Sequence, residues 1–218
     1  MRKSNVEYIG IDKLQFGDVV YIDDRSPHNL VGKIIRTLEN GGKHPDKFFI
    51  PNHCGVVIES NENFHETKII QSAYLGVRVK KLGRWSSHKY CNVIVKRYKW
   101  YFPDYKKRQM KGWLEDKIGL PYDFLSLLPM LGKYYLLKIV ENPIIKIFIR
   151  RLPNPLDSKV KFICSELIFR AFFEILNIII WSNCHPSDVT PYDEFRSKKF
   201  RVIARVMNFD YEKGEPIC

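Results

Sequence analysis

Cys164 and His53 are the two side chains whose types and settings make covalent chemistry possible in this 218-residue chain. Cys164 sits in Phe162-Ile163-Cys164-Ser165-Glu166-Leu167, downstream of the breaker-rich Leu152-Pro153-Asn154-Pro155. Leu167, Ile168, Ala171, Phe172, Ile175 and Leu176 recur at helical spacing and Cys164 continues their stripe, which predicts a thiol facing inward at a helix N-terminus. There the unpaired N–H groups and the positive end of the dipole favour thiolate, and can lower a cysteine pKa from about 8.5 to roughly 3.5–7.5. A small buried core thiol would occupy the same position, since free cysteine is among the most buried residue types.

His53 opens an alternating run that sends Gly55, Val57 and Glu59 to one face and Cys54, Val56 and Ile58 to the other. Asn61-Glu62-Asn63 reads as a turn, and a symmetric hairpin about residue 62 sets Gln71 opposite His53. An amide oxygen there accepts the imidazole Nδ1–H and aims Nε2 at a thiol, the orienting role that a third residue fills in Cys–His enzymes.

The elements that must position these groups follow from periodicity. Phe16 to Ile22 reads as a turn and a first strand, and Leu30 to Leu38 as a helix within an otherwise polar, loop-like stretch up to Phe49. His53–Glu59, Thr67–Ala73, Gly76–Leu82 and Asn92–Tyr98 form a β-meander, which predicts an antiparallel sheet. Lys106–Ile118 and Lys161–Asn177 carry helical spacing, Phe124–Ile149 is apolar but broken by Pro129 and Pro143, and Phe200–Met207 returns to strand character. With no repeats and no long linker, the class is α+β in a single domain over 1–218, with an apolar helical insertion at about 124–151.

Composition excludes several classes. With 45% apolar and 14% aromatic residues the chain can bury a substantial core, and 28% charged residues with 12 Gly and 12 Pro exclude a disordered or collagen-like chain. No apolar run long enough to span a bilayer is present, and Met1 to Lys13 has no continuous apolar segment of a signal peptide, so a cytoplasmic location is expected. Five cysteines without a CxxC pair read as reduced thiols. The net charge of +12 suits an anionic partner. Residues 78–111 hold 12 basic side chains and one acid, interleaved with Trp85, Tyr90, Tyr98, Trp100, Tyr101 and Phe102. That mixture suits single-stranded nucleic acid, but the basic and aromatic residues along Asn92–Tyr98 are read as the solvent and core faces of one strand, and no base-reading signature accompanies them. Nucleic acid is therefore not the expected partner.

Five strings in order then resemble one family. Phe16-Gly17-Asp18-Val19-Val20, Asn52-His53-Cys54-Gly55-Val56-Val57, Ile69-Ile70-Gln71-Ser72-Ala73 with Gly76-Val77-Arg78-Val79, Gly119-Leu120-Pro121-Tyr122-Asp123-Phe124, and Ile163-Cys164-Ser165-Glu166-Leu167 are similar to the permuted papain-like cysteine hydrolases of the NlpC superfamily, in the YiiX-type branch. The resemblance spans about residues 14–205. It implies a circularly permuted papain-like fold in which an antiparallel sheet or small barrel packs against helices and the histidine precedes the nucleophile. It also implies catalytic roles for His53 and Cys164, with Gln71 at the position of the orienting residue, commonly Glu in that branch. The neutral amide is a departure, because it orients the ring without stabilising imidazolium as a carboxylate does.

The chemistry so implied is attack of the Cys164 thiolate on an acyl carbon, protonation of the leaving amine or alkoxide by His53, and resolution of a thioester, with the Cys164 backbone N–H as oxyanion donor. Tyr122 and Ser165 are candidate substrate-binding residues, although Tyr122-Asp123 would equally serve to cap the next helix. Peptide or cell-wall-like amides are the first substrate class. A lipid-directed acyltransferase or esterase is the alternative, suggested by the apolar insertion, which ends in Arg150-Arg151 and could contact an anionic membrane surface. A silent basic module that binds nucleic acid or another anion is the third reading. No cofactor is expected, and no metal: His53, Cys54, Cys184 and His185 have ligand types, but adjacent strand residues point apart and the usual ligand spacing is missing. His28, His44, His65 and His88 lie in polar stretches and are expected to be solvated.

Overall fold

Alternation in the meander produces the sheet on which the site is built. The computed structural model describes residues 6–8, 13–40, 49–152, 154–156, 158, 160–180, 188–210 and 215–216. The strands are β1 (Val6–Tyr8), β2 (Val19–Asp24), β3 (His53–Glu59), β4 (Lys68–Ala73), β5 (Gly76–Lys81), β6 (Cys91–Tyr98) and β7 (Phe200–Val206), and a short ribbon joins β8 (Phe209–Asp210) to β9 (Glu215–Pro216). The first seven form an antiparallel sheet in the order β1-β7-β6-β2-β3-β4-β5. The helices are α1 (Leu30–Asn40), α2 (Gly83–Ser86), α3 (Asp104–Glu115), α4 (Leu127–Ile139), α5 (Pro143–Arg151), α6 (Cys164–Arg170) and α7 (Pro191–Phe195), and α6 runs on into a π-helical turn at Ala171–Ile175. The α+β class expected from sequence is present, with an open strand order in place of a barrel.

Both faces of the sheet are covered. Val19, Tyr21, Cys54, Val56 and Ile70 pack beneath α3 and α6, while Val20, Ile22, Val57 and Ile69 pack with Phe64, Leu82 and Trp85 on the other side. The central position of β6 corrects the reading of its basic residues as a solvent face. Lys96 is buried, its Nζ donates to the Phe195 carbonyl at 2.5 Å and lies over the Phe195 ring, and burial with neighbouring Lys99 pulls its ammonium down to about 8. Arg97 pairs with the buried Asp18 at 2.8 Å. Asp18 also accepts the Gln15 N–H at 2.7 Å, so the Phe16–Val20 string anchors β2 to β6.

The two prolines of the apolar segment act differently. Pro143 occupies the first turn of α5, where Asn142 caps by accepting the N–H groups of Ile144 and Ile145. Pro129 lies in the first turn of α4, where a missing N–H costs no helical bond, so the helix runs on to Ile139. Among the described residues no helix is long and apolar enough to cross a membrane.

Candidate active site

Gln71 reaches His53, through a register that differs from the symmetric hairpin. The β3–β4 ladder pairs Val56 with Ile70 and Val57 with Ile69, with a bulge near Glu59. The offset relative to the expected register is two residues, an even number, so Gln71 keeps the face of His53 and bonds it diagonally. The diagonal passes over Gly55. A Cβ there would lie 3.0 Å from the Ile70 carbonyl and Ile69 Cδ1 and 3.4 Å from Gln71 Cβ, so the absence of a side chain opens the path. Gln71 Oε1 then accepts from His53 Nε2 at 2.5 Å. The nitrogen roles are therefore reversed from the expectation: Nε2 carries the proton, and Nδ1 is left as the basic nitrogen. Trp85 packs against the ring, with centroids 5.8 Å apart.

Cys164 arrives from the helix layer. Gly76, at φ +89°, comes so close to the 120–121 segment that a Cβ would stand 2.3 Å from the Leu120 carbonyl oxygen, and Val77 N–H donates to that oxygen at 2.8 Å. This fixes the Gly119–Phe124 string against β5. Tyr122 bridges in parallel to Phe162, and Phe162 also receives the Ser72 hydroxyl on its carbonyl at 2.5 Å. Phe162 is two residues from Cys164, so the string that displays Tyr122 also sets the head of α6. Ile163 is extended and caps α6 without a side-chain bond.

The sulfur meets β3 at its start, where pairing with β2 extends to Ile22–His53, beyond the last β3–β4 pair. Although His53 and Cys54 point to opposite faces, both act on the Cys164 thiol at this strand end. Their influence, that of Cys54 foremost, holds the Cys164 thiol well below its ordinary range against the opposing effect of burial. Burial would pull His53 down, but its interaction with Cys164, with the Gln71 bond, raises it above the ordinary value. Burial first, then Cys164, pushes Cys54 well up, so it remains a neutral thiol donor.

Two groups in this cluster escaped sequence reading. Cys54 had a signal, because its alternation with Val56 and Ile58 puts it on the core face. Glu194 had none: Thr190-Pro191-Tyr192-Asp193 reads as an ordinary capped helix start, and the structure contains that capping box. Yet Glu194 is fully buried with Oε1 unpartnered, and Cys54 Sγ lies 3.7 Å from its Oε2. Burial and the charge of Cys164 push its carboxyl well up.

The other expected residues divide. Tyr122 lines a pocket of about 460 Å³ together with His53 and Gln71, and Asp123 meanwhile holds the turn into α4 by accepting from Ser126 N–H and Oγ. Ser165 requires correction as a substrate contact. It is fully buried and its hydroxyl donates to the Val189 carbonyl at 2.5 Å, tying α6 to the segment that leads to α7. Cys164 itself is 2% exposed. It lines a cavity of about 10 Å³ that shares Ile35 and Tyr122 with the larger pocket, so these two side chains stand between them. His65 is bonded to Ser86 at 2.7 Å, not simply solvated. Cys184 and His185 lie outside the described residues.

These elements define an α+β fold with an antiparallel sheet covered by helices and a Cys–His meeting point at the head of α6. No protein-family model matches the chain, and no curated protein matches it. Among solved structures, the chain is similar to the crystal structure of the metalloprotein YiiX from Escherichia coli O157:H7, of the DUF1105 group, with a TM-score of 0.55 and 15% identity over 88% of this chain and 97% of that one. The likeness is one of fold.

Because that neighbour is described as a metalloprotein, the ligand sets here bear on the fold. Among the described residues, Asp24, His88 and Cys91 bring ligand atoms within 4.8 Å of one another. Both Asp24 oxygens already accept bonds, from Ser26 and from Asn29, and burial pushes the Cys91 thiol up.

Proposed function

We propose that this chain is a cysteine-dependent acyl hydrolase of the permuted papain-like kind within the NlpC superfamily. The observation that carries the reading is the Cys164 thiol at the head of α6, near enough to His53 for each to shift the other's pKa, with that imidazole held at Nε2 by Gln71. The order of His53 before Cys164, and the YiiX-like fold, agree with it.

In the proposed reaction the Cys164 sulfur bonds to the acyl carbon of an amide or ester, and the negative oxygen is met by backbone N–H groups at the start of α6. The C–N or C–O bond breaks as imidazolium His53 gives its Nδ1 proton to the leaving group. Water then attacks the thioester, His53 takes its proton, and the carboxylic acid leaves with the thiolate restored. Gln71 keeps the ring in the tautomer that this requires. Because the amide carries no charge, the influence of Cys54 on Cys164 supplies part of the thiolate stabilisation that an acidic orienting residue would otherwise provide through His53.

The test is reaction of the full chain with a thiol-directed acyl probe, followed by intact mass and peptide mapping. One adduct on Cys164 that is absent in Cys164→Ser and strongly slowed in His53→Ala is expected. Equal reaction of His53→Ala, or adducts confined to other cysteines, would overturn the assignment.

A further inference from the structure

The apolar segment expected as a helical insertion has an unusual distribution of exposure. Among the described residues, more than half of the large apolar side chains that face solvent lie between Phe124 and Leu156. On α5, Ile144, Ile145, Ile147 and Phe148 are all exposed, and on α4 so are Leu128, Tyr135, Leu136 and Ile139. The helices are nonetheless firmly made and rooted. Asn142 caps α5, Lys133 of α4 pairs with Asp188 and donates to the Leu152 carbonyl at 2.5 Å, and Leu127 and Met130 pack with Tyr122 and Ile163 beside Cys164. With 13 and 9 residues they are about 20 and 14 Å long, against about 30 Å of bilayer hydrocarbon, so neither spans it. On α5 the exposed positions cover an arc of about 160° at 100° per residue, the geometry of a helix lying in an interface.

Charge selects the occupant. Residues 124–156 contain five basic residues and one acid, and of the basic ones Lys133 is taken up by Asp188. The pocket at His53 adds Arg78, Lys80 and Arg84 to its lining, while exposed Tyr74, Leu75 and Phe124 stand at the same pocket. An apolar segment of basic net charge, touching through Phe124 a pocket that has a cationic wall, matches an anionic lipid surface: acyl chains for the former and headgroup phosphates for the latter.

We infer that α4 and α5 dock this chain on an anionic membrane with the His53 pocket at the lipid surface, and that the acyl substrate is an ester of a membrane lipid. The substrate half of this inference rests on the cysteine-hydrolase reading; the docking half does not. In the reaction, the acyl carbon of the lipid bonds to Cys164 sulfur, the ester C–O bond breaks, the lyso-lipid alcohol takes the proton from His53, and water releases the fatty acid.

The docking is tested with the full chain carrying Cys164→Ser, by co-sedimentation with phosphatidylcholine vesicles with and without phosphatidylserine, beside an Ile144→Glu/Phe148→Glu variant. Binding at least about tenfold stronger to the anionic vesicles, weakened by salt and lost by about tenfold or more in the double variant, is expected. Equal binding by the double variant overturns the docking. So does a dimer in light scattering that the double variant abolishes without vesicle binding, since a second copy would then cover the face. The substrate half is tested with the unmutated active site by fatty-acid release from the same vesicles, expected to fall at least about tenfold in the double variant while a soluble short-chain ester is cleaved unchanged. Cleavage of soluble amides with no release from vesicles overturns the lipid assignment and leaves the cysteine reading standing. Vesicle binding with an unreactive Cys164 overturns the cysteine reading and the substrate half with it, and leaves the docking intact.

Discussion

The two halves of the site are built on opposite principles. The imidazole half is polar and reached from a pocket: His53 is half-buried, held by Gln71 across a glycine, and lies beside cationic side chains. The sulfur half is enclosed, with Cys164 among Val56, Ile70, Phe162 and Leu167 and almost no solvent contact. Apolar surroundings by themselves raise a thiol pKa, so thiolate there depends on specific donors. Cys54 and His53, one from each face of a single strand, are the groups whose influence lowers the Cys164 thiol. On the proposed reading, the contrast places the stabilisation of a thiolate at the start of β3.

Removing either half has the largest expected effect. Cys164→Ser ends formation of the acyl adduct, and His53→Ala slows it by about 10²- to 10⁴-fold, the usual worth of a positioned acid–base group, measured as the rate of mass increase. Circular dichroism and melting curves for both variants should stay close to the parent's. A His53→Ala protein that acylates at the parental rate would mean that the two halves do not cooperate.

Next comes the path between the halves within the sheet. Gly55→Val forces Cβ and two methyls against the Ile70 carbonyl and Gln71, so it should cost about 1–3 kcal/mol of stability and separate Gln71 from His53. Gln71→Ala removes the same bond without the clash. Acylation slowed in both, with loss of melting temperature mainly in Gly55→Val, distinguishes positioning of the ring from general packing damage.

How far the sequence discloses this arrangement depends on which residues are asked. The strands of the meander and the helix behind Cys164 were legible, because period-two and helical spacing are written locally. The face of Gln71 was legible too, since parity survives an even slip, whereas its partner was not: the bulge near Glu59 and the stagger of β3 on β4 are set by neighbours distant in sequence. Lys96 looked like a solvent-facing lysine because nothing in Asn92–Tyr98 reveals that β6 is flanked by β2 and β7 and covered on both faces. Ser165 belonged to a recognisable string, but its bond to Val189 depends on where the chain returns before α7.

The wall between the halves gives a smaller effect of opposite sign. Tyr122, with Ile35, stands between the open pocket and the cavity at Cys164 and is itself pushed well up by burial and by the charge of Cys164. Tyr122→Ala should expose the sulfur and speed alkylation by a small neutral reagent by about tenfold, equivalent to about 1.4 kcal/mol in the barrier. The measurement is the pseudo-first-order rate of alkylation at one pH, with peptide mapping to Cys164. An unchanged rate would show that the sulfur is reached by a route away from Tyr122.

The last expected effect concerns stability and tests the enclosed half alone. Glu194 is fully buried behind Cys54, with one oxygen unpartnered and its carboxyl pKa raised by burial and by Cys164. An acid with a raised folded pKa holds a proton that the unfolded chain releases once pH exceeds the ordinary carboxylate value. Unfolding then becomes easier as pH rises from that value toward the folded one, and the penalty is absent below it. Glu194→Gln keeps the shape and cannot ionise, so it should match the parent near pH 4 and exceed it at neutral pH by about 1–3 kcal/mol, read from denaturant midpoints across that range. Because the charge of Cys164 contributes to raising Glu194, the gap should narrow in a Cys164→Ser background. An equal gap in both backgrounds would mean that the sulfur carries no negative charge in the folded chain, and the contrast between the two halves would lose its basis.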